Sequence, residues 1–175
     1  MKNNIITIIM LASALIGVIS LTSGAAPTLP AKASSQLNGS ISVGVFEYLP
    51  AKANKLKPNQ VASIGGPIAF ERNIDAQVRD AVIAELKASG VQLETPTKIL
   101  SAEIESCQII KHIDGPADCA LSIRYRITSG NAVTYESTRE VETRKCSDSQ
   151  LALDDVIQQN WRELVKDSVF LNAIK

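Results

Sequence analysis

Cys107, His112, Cys119 and Cys146 are the chain's three cysteines and its one histidine, and all four lie in its C-terminal half. Thiolate and imidazole are the ligands zinc takes, so gathered at one sheet edge they would form a Cys3His centre. No tight C-x-x-C pair sets two thiols side by side, and strand alternation sends Cys107 and Cys119 to opposite faces. The same sulfurs are disulfide candidates. Cys107 with Cys119 requires a bulge or an irregular hairpin end, Cys119 with Cys146 requires a shared sheet edge, and three unpaired thiols are the remaining arrangement. His112 stands beside a turn with no Ser or Cys partner nearby in sequence, which reads as a surface histidine rather than a general base. The chain contains no G-x-S-x-G, P-loop or dinucleotide fingerprint, and Gly65-Gly66-Pro67 is too short and wrongly flanked to cradle phosphate. The expectation is a protein that is not an enzyme, with no catalytic residue, no metal and no cofactor. A small metal-dependent hydrolase built near His112 and the thiols is the alternative from another class.

Binding chemistry is concentrated elsewhere. Lys52, Lys55 and Lys57 precede Asn59 and Gln60 and then the apolar run Val61 to Ile64, so residues 47–70 set positive charge beside apolar side chains. That mixture suits anionic lipid head groups, acidic glycans or a partner protein of the envelope. The opposing reading is a solvated lysine run on a loop whose apolar residues tuck back. With Pro50, Pro58, Gly65, Gly66 and Pro67, this stretch shows no period and is expected to be a long structureless loop.

The elements that position these groups follow from periodicity. Ile41 to Phe46 reads as a first strand. Ile74, Val78, Val82 and Leu86 recur every fourth residue, which predicts a helix over 73–89 with Gly90 as its left-handed cap. Period-two runs over 99–110, 119–128 and 132–144 predict a three-stranded antiparallel meander, with turns at Asp114-Gly115-Pro116 and Ser129-Gly130-Asn131. Leu100, Ala102, Ile104, Leu121, Ile123, Tyr125, Ile127, Val133, Tyr135 and Val141 are expected to face the core. Centring the second turn on Gly130 sets Arg124 between Glu103 and Glu136, an exposed ladder of a common kind. Ser147 and Gln150 stand at capping-box spacing before a second helix, whose stripe includes Leu153, Val156, Ile157, Trp161 and Leu164. The fold class is α+β, a mostly antiparallel sheet with both helices packed on one face.

The compartment is read from the N-terminus. Lys2, the apolar run Ile5 to Leu21 and the small residues 22–26 have the layout of an export signal over 1–25. At about 17 residues the run is shorter than the roughly 20 that span a bilayer, so cleavage is favoured over an uncleaved anchor. The Pro-, Ala- and Ser-rich residues 26–40 read as a flexible tether, and 41–175 as a single domain with room for one core. Lys and Arg number 18 against 18 Asp and Glu, so no global field draws the protein to nucleic acid. A periplasmic or envelope-associated location is expected, and oligomeric state is not legible.

Val43-Gly44-Val45-Phe46-Glu47-Tyr48-Leu49-Pro50, Lys55-Leu56-Lys57-Pro58-Asn59-Gln60, Arg79-Asp80-Ala81-Val82 with Glu85-Leu86, Leu100 leading into Glu103-Ile104-Glu105, Arg124-Tyr125, Tyr135-Glu136-Ser137 and Phe170-Leu171-Asn172-Ala173-Ile174 form a succession over nearly all of the mature chain. It resembles the YajG-like group of bacterial envelope proteins. The resemblance implies a small α+β domain without an assigned reaction, comparable to lipoproteins auxiliary to envelope transport systems, and it supplies no catalytic residues. The chain departs from that group in having no Cys before residue 107, and so no lipobox thiol.

Overall fold

The structure, a computed structural model, describes residues 37, 39–93, 97–110, 117–146 and 149–175, the side chains of 144–146 and 149 excepted. The expected export signal, most of the expected tether, His112, the expected turn at 114–116 and Ser147 cap, and the Cys146 side chain therefore lie outside the described residues. In chain order the elements are β1 (Ser42–Tyr48), α1 (Leu49–Lys52), β2 (Gln60–Ser63), β3 (Ile68–Ala69), α2 (Ile74–Ala88), β4 (Lys98–Ile110), β5 (Ala117–Ser129), β6 (Ala132–Cys146), α3 (Ser149–Leu164) and α4 (Ser168–Ile174).

Three long strands carry the fold. β4 pairs antiparallel with β5, and β5 with β6. Gly130 takes a φ of 58° at the first central position of the tight β5–β6 turn, a conformation that matches the strands' twist. The sheet is mixed, because β1 and β2 both run parallel to β4 along its other edge, β1 against its first half and β2 against its second. Parallel partners need a long crossover, and the chain has one in β2, β3 and α2 between β1 and β4. The sequence suggested two helices; the described residues form four.

Residues 47–70 are not structureless. They contain α1, β2 and β3, and Val61 tucks completely into the core. Short nonlocal strands of two to four residues carry too few alternations to show a period, which is why the sequence hides them.

α2 buries Ile74, Val78, Val82 and Leu86, the every-fourth stripe that a 3.6-residue repeat turns to one side. It ends in a double cap. The Val91 N–H donates to the Leu86 carbonyl and the Gly90 N–H to the Lys87 carbonyl, with Gly90 at φ 84°. α3 packs on β5 and β6 and touches α2, burying Leu153, Val156, Ile157, Trp161 and Leu164. Trp161 and Tyr135 each meet the Phe170 ring of α4 edge-on.

Beneath β5 and β6 runs a polar chain. The Tyr125 hydroxyl donates to Asn160 Oδ1 at 3.0 Å, and Asn160 Nδ2 donates to the Arg139 carbonyl at 2.9 Å. The Arg139 guanidinium reaches Asp167, which also accepts from the Tyr135 hydroxyl and caps α4 through the Val169 N–H. Burial works against ionising Asp167, but the Val169 N–H, the Tyr135 hydroxyl and the Arg139 charge hold its carboxyl below the usual range. The two ends of the domain meet as well: Leu37 is buried, Ser40 N–H donates to the Ile174 carbonyl, and a Cβ on Gly39 would overlap that same oxygen.

Candidate binding face of the sheet

Alternation gives the long strands one buried face and one open face. On the open face, cross-strand rows follow the register. Ile99, Thr128 and Val133 form the first; Ser101, Arg126 and Glu136 the second; Glu103, Arg124 and Thr138 the third. Ser106, Ser122 and Glu140 form the fourth, and Gln108, Ala120 and Glu142 the fifth.

At the first row the face is apolar and uncovered: Val45 is 68% exposed, Val133 55% and Ile99 40%. Val45 lies in a bulge of β1, where the register slips between Val43 and Phe46. Gly44 permits that slip, since a Cβ there would stand 2.8 Å from Ile99 Cγ2, and Arg79 Nε donates to its carbonyl at 3.1 Å.

The middle rows are an ion-pair ladder. Arg124 pairs with Glu103 at 3.2 Å and with Glu105, whose other oxygen accepts from Ser122 at 3.1 Å. Arg126 forks onto Glu136 at 3.0 and 3.3 Å, which holds the Glu136 carboxyl below its ordinary range. Glu136 thus faces Arg126, not Arg124 as the sequence suggested. The turn is centred between Gly130 and Asn131, and a register shift between Ile127 and Thr128 inserts one more residue into β6. That shift also turns Val133 outward, away from its expected place in the core. A depression of about 220 Å³ lies among Val45, Glu47, Ser101, Glu103, Arg124 and Arg126.

At the far end the floor is made of small residues. Ser106, Ala120 and Ser122 leave a trough of about 530 Å³ walled by Glu105, Glu140 and Glu142. Glu140 and Glu142 are exposed and have no basic partner among the described residues.

The residues singled out in 47–70 divide. Asn59 and Gln60 are spent on the fold: Asn59 Nδ2 donates to the Phe70 carbonyl at 2.7 Å, and Gln60 Oε1 accepts from the Lys57 N–H at 3.0 Å. Lys52 binds Glu47 at 2.6 Å beside the open face. Lys55 and Lys57 are exposed without an ion-pair partner among the described residues, and Ile64 is exposed at the tip joining β2 and β3.

The Cys107 and Cys119 thiols are not on a surface. A bulge between Ile104 and Ser106 reverses the parity of β4, so Cys107, expected on the outer face, is buried opposite Leu121. Burial pushes its thiol up to about 12 and keeps it protonated, a poor state for a nucleophile or metal ligand. Cys119 is buried opposite Ile109, and Cys146 closes β6 opposite Ala117. No group of three His, Cys, Asp or Glu side chains among the described residues is placed to hold a metal. No helix among them is long and apolar enough to cross a membrane. A polar cleft of about 640 Å³ lies on the helical side, where Gln77, Gln150 and Asp154 line the gap between α2 and α3.

A scan of protein-family models finds no match, and a search of curated proteins finds none. Solved structures do resemble the chain. Protein XCC0632 from Xanthomonas campestris, of family DUF330, covers 82% of this chain and 91% of its own, at 12% identity and a TM-score of 0.56. Protein CT253 from Chlamydia trachomatis covers 73% and 94% at 12% identity and a TM-score of 0.49. Lipoprotein GNA1162 from Neisseria meningitidis covers 74% and 100% at 10% identity and a TM-score of 0.43. None of the three bears the YajG-like name, and at such identities the likeness to the first is one of fold.

Proposed function

We propose that the chain is a non-enzymatic binding or adaptor protein of the bacterial envelope, engaging a protein or lipid component through the open sheet face and the adjoining 47–70 segment. The observation that carries this reading is the exposed apolar end of the open face, Ile99 and Val133 in the first row and Val45 in the β1 bulge, continuous with a charged ladder on a sheet face that no described element covers. Three of the six large apolar side chains exposed among the described residues gather there, and an apolar cluster rimmed by charge marks an interaction surface. The segment-layout of the N-terminus supports an exported protein, and the fold shared with the DUF330 protein is in keeping with a role of unassigned specificity. Lys55 and Lys57 are exposed in the adjoining segment and add positive charge there.

The test is recovery of a cross-linked envelope component from intact cells, compared with a Lys52→Ala, Lys55→Ala, Lys57→Ala variant and with Val133→Ser. Both variants should fold normally and recover several-fold less. Undiminished recovery from both would remove this surface from the function.

A further inference from the structure

The open face is polarised along its strands. Beyond the apolar first row, the described side chains of the second to fifth rows, with Glu105 in the bulge, present five carboxylates, Glu103, Glu105, Glu136, Glu140 and Glu142, against two guanidiniums, Arg124 and Arg126. Arg124 is shared by Glu103 and Glu105, and Arg126 is occupied by Glu136. The negative surplus therefore collects at the far trough, where Glu140 and Glu142 stand over Ala120 and Ser122. From Thr128 in the apolar row to Ser122 in the trough is six residues of β5, about 20 Å at the rise of a strand.

Resting on the binding reading above, we propose that the face docks a cationic segment of a partner protein. Paired apolar anchors of that segment lie over Val45, Ile99 and Val133, and a Lys or Arg about 20 Å away enters the Glu105–Glu140–Glu142 trough. Charge selects this occupant. An anionic lipid surface is repelled by Glu140 and Glu142, which have no basic partner among the described residues. A second copy packed face to face about a two-fold axis sets carboxylates against carboxylates or against the apolar row, and both arrangements are unfavourable. A small-residue floor with an acidic rim has the shape and charge of a long cationic side chain, whose methylene stem lies on Ala120 while its head reaches the rim.

The test uses the full chain and two labelled synthetic peptides of one composition. In the first, a leucine pair and an arginine pair are separated by about six extended residues; in the second the pairs are adjacent. Fluorescence anisotropy should show the first binding at least about tenfold more tightly. Glu140→Gln with Glu142→Gln, and separately Val133→Ser, should each remove most of that preference, and the glutamate pair should also flatten the salt dependence. Equal binding of both peptides, or indifference to the glutamate variant, overturns the proposal. So does tighter binding to phosphatidylglycerol vesicles, or self-association that the glutamate variant abolishes. If partner recovery in cells depends on Lys55 and Lys57 but not on Glu140 and Glu142, the adaptor reading stands and the cationic-segment inference falls.

Discussion

Glu105 and Cys107 stand on opposite faces of β4, although two residues apart in a strand. Glu105 reaches Arg124 and Ser122 on the open face, while Cys107 is buried opposite Leu121. The bulge between Ile104 and Ser106 puts Glu105 and Ser106 at the edge of the acidic trough and turns the following thiol into the core.

Cys107 is consequently protected. Burial pushes its thiol from the ordinary 9.0 up to about 12. The folded state thus keeps the proton that the unfolded state releases as pH rises past about 9. Iodoacetamide labelling read by peptide mapping at about pH 8 should leave Cys107 unmodified in the native protein and label it fully in denaturant. The protection should contribute to alkaline unfolding above about pH 9, and Cys107→Ala should shift that limb to higher pH.

Asn160→Ala removes the one side chain that joins Tyr125 to the backbone of β6, leaving a hydroxyl and a carbonyl without their partner. Urea unfolding should show a loss of about 1–3 kcal/mol. An unchanged midpoint would mean that water replaces the amide.

Gly90→Ala should cost about 1–2 kcal/mol through the left-handed φ alone, lowering the thermal midpoint without touching the open face. Gly39→Ala acts differently, by overlap with the Ile174 carbonyl, and should loosen exchange protection in α4.

Asp154 is half-buried between α2 and α3, and that burial first, then the neighbouring Asp155, raise its carboxyl above the ordinary range despite the hydrogen bond from Gln150. A raised acid binds its proton more tightly when folded, so the charge costs stability at neutral pH and the cost fades as pH falls through the folded pKa. Asp154→Asn should therefore raise the thermal midpoint at pH 7 and lose its advantage in acid. A constant difference across pH would assign the effect to packing.

Local repeats made much of this legible. The stripe Ile74, Val78, Val82 and Leu86 marked α2, the alternation in β4–β6 marked three strands, and Glu103 does face Arg124. The side chains assigned to the wrong face have one origin. A bulge carries no sequence mark when, as at Glu105, it contains no glycine, and every residue beyond it changes face. This moved Cys107 inward, and the shift near Thr128 moved Val133 outward and carried Glu136 to Arg126. β1 was legible as a strand at 41–46, but its parallel pairing with β4, and β2 altogether, were hidden because those pairings are nonlocal and short. Those irregularities place Val133 at the apolar end of the open face and Glu105 and Ser106 at its acidic end.

The most direct measurement is photo-cross-linking in intact envelopes from a reactive residue at Thr138, at the centre of the open face, against the same residue at the exposed Lys87 of α2. Docking on the sheet face requires a discrete adduct from Thr138 that Val133→Ser weakens and that Lys87 does not form. Equal background from both positions, or an adduct from Lys87 alone, would contradict it.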